Sequence, residues 1–152
     1  MDAKLVNPFI DALVSVMPQM GFAVPTRANM GVRSQMTKSL GVAVIVGFTK
    51  VLRGNVVYNM TEETAKFIAS TMMMGMPVEK FDDMAQSAIS EMSNMLTANA
   101  ATNLAAMGME VDISTPSLSI GADFQIKISN DSYLVVEMDL GGHIMELDIA
   151  VQ

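Results

Sequence analysis

MAQSAISEMSNMLTANAATNLAAMG, residues 84–108, carries one helical pattern from end to end. At about 100° per residue, Ala85, Ala88, Ile89, Met92, Leu96, Leu104 and Met107 fall on one broad apolar face. Ser87, Ser90, Glu91, Asn94, Ala98 and Ala101 fall on the other. Asp82 or Asp83 suits the start, and Gly108 suits the end. About 25 residues make a helix of about 38 Å. Asn99 falls on the apolar side and is expected to be a hydrogen-bonded amide.

The segments before this helix change character twice. Asn7 reads as an N-cap with Pro8 at the first helical position, followed by an apolar face of Phe9, Ile10, Leu13, Val14 and Met17. Pro18 and Gly21 limit that helix. Residues 27–37 alternate weakly and read as a strand leading into GVAVIVGF, residues 41–48, a short β-branched run suited to a buried strand. A turn at Arg53-Gly54-Asn55 then leads to NVVYNM, a second strand. Thr61 caps a further helix, with Glu62 and Glu63 in its first turn, where carboxylates complement the helix dipole. Ala65, Phe67, Ile68 and Met72 supply its apolar side, and Gly75 and Pro77 stop it.

The last third is strand country. Residues 109–115 read as one strand. Residues 122–128 and 133–140 flank an expected turn at Ser129-Asn130-Asp131-Ser132. Gly141-Gly142 is a two-residue hairpin signal, and residues 143–151 alternate apolar and polar, which places Glu146 and Asp148 on a solvated face. The expectation is an α+β fold: a mainly antiparallel β-sheet with three helices packed on it, in two halves of similar order that suggest internal pseudo-symmetry.

Composition narrows the function. The 152 residues are enough for one sizeable core, and without a linker-like segment residues 1–152 are read as a single domain. The net charge of −7 comes with no basic run, which argues against nucleic acid and anionic membrane surfaces. There is no cysteine, so disulfides, thiolate metal sites and cysteine nucleophiles are excluded. MDAKLVNPF lacks the pattern of a signal peptide, and no apolar run approaches the roughly 20 residues of a membrane span, so a cytoplasmic protein is expected. The 17 methionines read as flexible core filler, because most fall on core-facing positions; a Met-rich binding groove is the alternative.

The candidate chemistry sits on the long helix. Glu91 and Asn94 are three residues apart, so their side chains leave the helix as neighbours. Around them Ser87, Ser90, Ala98 and Ala101 are small, which lets another protein approach the backbone closely. A helix interface without chemistry would share those features. His143, the sole histidine, has no second His or Cys to complete a metal site, and none is expected. Asp82 and Asp83 read as caps, and the sequons at Asn59 and Asn130 would stay unmodified in a cytoplasmic protein.

Residues 84–101 resemble the signature helix of the CheC, CheX and FliY phosphatases, which carries a Glu-x-x-Asn motif. Residues 54–77 (GNVVYNMTEETAKFIASTMMMGMP), residues 113–121 (ISTPSLSIG) and the N-terminal VNPFIDA resemble CheX in particular. Of the glutamates, Glu91 alone has Asn at the third following position, matching the single motif of CheX. The resemblance implies a CheC/CheX-like fold and an enzyme that dephosphorylates phosphorylated CheY or a related response regulator. It implies a homodimer, and it implies Mg²⁺ held by the response regulator, with no cofactor bound by this chain. It gives Glu91 a salt bridge to the partner's lysine and Asn94 the orientation of the attacking water. Ser87, Ser90, Ala98 and Ala101 would form the docking face. Family members often carry Gly where this chain has Ala98, which adds a methyl on that face. A dimeric module that binds receiver domains or motor proteins without catalysis is the competing reading.

Overall fold

Capping and β-branching account for most of the elements in the computed structural model, which describes residues 3–152. Met1 and Asp2, the start of the segment read for a signal peptide, lie outside the described residues. Helix α1 spans Asn7–Val16, α2 Glu62–Met72 and α3 Asp83–Ala106. The Thr61 hydroxyl accepts the Thr64 N–H at 3.1 Å, and the Asp82 carboxylate accepts the Ala85 N–H at 3.0 Å, so two of the free N–H groups at the helix starts are satisfied by the expected caps. At α1, Asn7 is already helical and makes no side-chain cap; Pro8 alone marks the start. Helix α2 ends three residues before Gly75, whose N–H bonds the Ser70 carbonyl at 2.8 Å from a left-handed conformation (φ 87°).

The strands are β1 Thr26–Lys50, β2 Gly54–Met60, β3 Val111–Ile113, β4 Ser117–Asp139 and β5 Ile144–Val151. All pair antiparallel, in the order β2-β5-β4-β1-β3, and β2 also pairs with β1. The pairings β1–β2–β5–β4–β1 therefore form a closed circuit, made possible by two very long strands of 25 and 23 residues. The chain order is α1, β1, β2, α2, α3, β3, β4, β5, so each long strand is followed by a shorter one. This is the expected α+β architecture, an antiparallel sheet with three helices.

Several local expectations are corrected. Residues 27–37 and 41–48 belong to one strand, kinked by register shifts. Residues 129–132 do not reverse the chain. Between the pairs Ser34↔Ser132 and Met36↔Lys127, Gln35 faces four residues of β4, so the turn signal becomes a large bulge. Pairing on both sides of the bulge carries the strand through. The strand expected over 109–115 shrinks to the three residues of β3, and the Arg53-Gly54-Asn55 turn lies earlier, since Gly54 already opens β2. The Gly141-Gly142 hairpin holds: the Leu140 N–H bonds the His143 carbonyl at 2.8 Å, and both glycines have positive φ.

All three helices cover one face of the sheet. Phe9 and Leu13 of α1, Ile68 of α2, and Ile89, Met92 and Leu96 of α3 pack there with Val44, Tyr58 and Leu147. Of the residues expected on apolar faces, Val14 and Met107 are exposed instead. Met107 lies just past the last turn of α3, where the sheet no longer covers it. On the second face Ala43, Val57, Ile128, Tyr133, Val135 and Ala150 form a smaller core.

Candidate functional site

Helix α3 is held from below, which leaves its outer face free. Ala85, Ala88, Ile89, Met92, Leu96 and Leu104 are buried as expected. Ser93 and Thr97 also point inward, and their hydroxyls donate back to the Ile89 and Ser93 carbonyls at 2.9 and 2.7 Å. Because the Thr97 hydroxyl spends its proton on Ser93, the Tyr58 hydroxyl is the donor in the 2.8 Å bond between them. Burial pushes the Tyr58 phenol well above its ordinary pKa, so it stays a neutral donor. Asn103 donates to the Pro8 carbonyl at 3.0 Å and ties α3 to α1. Asn99 is half-buried, with its oxygen 3.5 Å from the Asn103 amide nitrogen.

On the outer face Glu91 and Asn94 are both exposed, one turn apart. Among the described residues neither side chain has a hydrogen bond or ion pair, so both keep their full capacity for an incoming partner. Ser87 and Ala98 are exposed beside them, and Ser90 and Ala101 are half-buried. Between Ser87 and Ala101 the face around the pair is built of small side chains, with the exposed Met84 and Met95 at its edge. The structure brings together all six residues singled out from the pattern. Asp82 caps α3, and Asp83 occupies its first turn.

Other expectations are redistributed. His143 lies in the β4–β5 turn with its ring stacked on Phe67 at 4.1 Å between centroids. Among the described residues no three His, Asp or Glu side chains are gathered as a metal site would require. The Asn59 sequon is buried: its amide donates to the Lys38 carbonyl at 2.8 Å and its oxygen accepts the Leu40 N–H at 2.9 Å.

Glu146 and Asp148 are buried, not solvated. They point to the second sheet face, which β1 and β4 cover. Arg33 Nη2 lies 3.0 Å from Glu146 Oε1, and Asn59 Nδ2 lies 3.3 Å from Glu146 Oε2. Thr37 donates to Asp148 Oδ2 at 2.8 Å, while Asp148 Oδ1 has no partner among the described residues. Burial, reinforced by the neighbouring Glu146, pushes the Asp148 carboxyl up to about 8, so it is largely protonated at neutral pH. Alternation along β5 located these residues but did not reveal that their side of the sheet is covered.

An antiparallel sheet closed through two long strands, with one long helix presenting an acid and an amide, defines the CheC/CheX class of fold. A CheX from Desulfovibrio desulfuricans matches it with a TM-score of 0.87 at 20% identity, over 98% of this chain and 99% of that one. The CheX of a CheX–CheY–BeF3–Mg²⁺ complex from Borrelia burgdorferi matches with a TM-score of 0.71 at 28% identity, over 97% of each chain. In sequence, a CheY-P phosphatase CheX from Thermotoga maritima is 31% identical over 127 residues, 84% of this chain and 82% of its own length. The family described as chemotaxis phosphatase CheX matches residues 42–139. This chain belongs to the CheX family. Among the described residues, no helix is long and apolar enough to cross a membrane.

Proposed function

We propose that this protein is a phosphatase of phosphorylated CheY or a closely related receiver domain, acting through Glu91 and Asn94. The observation that carries the reading is the exposed, unpartnered pair on the outer face of α3, in a chain of the CheX family. The relative from Thermotoga maritima is a CheY-P phosphatase, and the one from Borrelia burgdorferi forms a complex with CheY.

An aspartyl phosphate is a reactive mixed anhydride, so the enzyme's task is positioning and charge control. The oxygen of a water attacks phosphorus, the bond from phosphorus to the carboxyl oxygen breaks, and inorganic phosphate and the aspartate carboxylate are released. The Asn94 carboxamide both accepts and donates, so it orients the water in line without changing its own charge. Placing the nucleophile in this way can remove several kcal/mol from the barrier. Glu91, one turn earlier, forms an ion pair with a lysine of the receiver and sets the register of the amide. Mg²⁺ belongs to the receiver domain, and this chain contributes no ligand to it. Ser87, Ser90, Ala98 and Ala101 permit the close approach. We assign this role to residues 1–152 as one domain, working in the cytoplasm as a homodimer.

Ala98 supports a second reading. Its exposed methyl lies one turn beyond Asn94, and if it holds the amide off the phosphoryl group the same face would bind without hydrolysis. Following phosphorylated CheY with Mg²⁺, with and without this protein, separates the two. Faster decay supports the phosphatase; binding with unchanged decay supports the docking module.

A further inference from the structure

Among the described residues, two of the three most exposed methionines, Met76 and Met84, line grooves that lead to Glu91. Leaving α2, the chain runs Met72, Met73, Met74, Gly75, Met76 and re-enters a helix with Met84 in the first turn of α3. Met74, Met76 and Met84 are 97%, 61% and 65% exposed. Met74 also adopts φ 60°, a conformation unfavourable for a side chain of its size, yet it packs on almost nothing in its own chain. These side chains are not core filler.

Two grooves meet here. One is lined by Met73, Met76, Pro77, Val78 and Met84, and the next by Met72, Met73, Met84, Ser87 and Glu91. They share Met73 and Met84, so one apolar trough runs from the end of α2 to the Glu91 carboxylate. Glu79, Asp82 and Glu91 stand along it against one cation, Lys80. Unbranched thioethers adapt to the shape of a partner, and carboxylates along an apolar strip select one with basic groups beside an apolar ridge.

We infer that this trough is the second half of the docking surface: it takes an apolar ridge, flanked by Lys or Arg, on the same receiver domain that presents its phosphoaspartate to Asn94. The inference rests on the phosphatase reading, because a partner seated on Glu91 covers the near end of the trough. The two motif residues then set the chemistry, and the methionine trough sets the affinity and the choice of receiver.

The test is steady-state decay of the host's CheY, phosphorylated with acetyl phosphate in Mg²⁺. It compares wild type, Met76→Gln/Met84→Gln, Met76→Leu/Met84→Leu and Asn94→Ala. The glutamine pair is expected to raise KM about tenfold, the scale of losing two partly buried apolar contacts, with kcat unchanged. The leucine pair stays near wild type. An unchanged KM in the glutamine pair, with Asn94→Ala still slowed, overturns the trough and leaves the phosphatase standing. A glutamine pair that changes only the sedimentation of the protein assigns the trough to a second copy of this chain and also overturns the inference. If wild type itself does not accelerate decay, the phosphatase reading fails first, and the trough's role with it.

Discussion

The Tyr58 hydroxyl donates to Thr97 Oγ1 at 2.8 Å and thereby fastens α3 to the sheet one turn beyond Asn94. A long helix touched only by apolar side chains can slide or rotate, whereas a buried directional bond holds one rotation about the helix axis. That rotation decides whether Glu91 and Asn94 face outward. Tyr58→Phe keeps the ring and removes the bond. The expected loss is about 1–1.5 kcal/mol of stability, read as a lower urea midpoint with an unchanged slope. A small fall in dephosphorylation rate should accompany it, well short of the effect of Asn94→Ala.

Asp148 makes stability depend on pH. Its carboxyl titrates near 3.8 when unfolded and is pushed up to about 8 in the fold. The folded state therefore holds more protons than the unfolded state between these values. The contribution is fully present below about pH 4 and is lost as pH rises through about 8. Arg33, Glu146 and the Tyr133 phenol face the same carboxyl. Asp148→Asn keeps the shape and removes the titration. Compared by urea unfolding at pH 5, 7 and 9, the wild type should lose stability relative to Asp148→Asn at each step, by at most about 1.4 kcal/mol per pH unit. A constant difference across that range contradicts the assignment.

Ala98 tests the approach. It is exposed, so Ala98→Gln should change stability by less than about 0.5 kcal/mol. If the small-residue face is where the receiver docks, the longer side chain should still raise KM about tenfold, the loss expected when a bulky group intrudes into a packed contact. Ala98→Gly should act in the opposite direction on KM, at a cost of about 1 kcal/mol in helix stability.

Where the controlling interactions are local, the sequence was readable. Thr61 and Asp82 cap the helices they were expected to cap, the β-branched run at 41–48 is buried strand, and Gly141-Gly142 turns the final hairpin. The outer face of α3 follows from helical period alone, which is why Glu91 and Asn94 could be placed. The failures are non-local. Ser129-Asn130-Asp131-Ser132 carries turn chemistry, but pairing with β1 on both sides makes it a bulge. Glu146 and Asp148 alternate like solvated residues, but β1 and β4 cover that face, and β1 supplies Arg33 and Thr37. Composition offers a methionine groove only as an alternative and does not locate it, because a loop assembles it from the end of one helix and the start of another.

The most direct measurement is the decay of phosphorylated CheY in Mg²⁺ with wild-type protein, Asn94→Ala and Glu91→Ala. The account predicts acceleration by wild type and a loss in kcat of about a hundredfold or more for Asn94→Ala at nearly unchanged KM, the scale of misplacing the nucleophile. Glu91→Ala should chiefly raise KM. Decay as fast with Asn94→Ala as with wild type would contradict it.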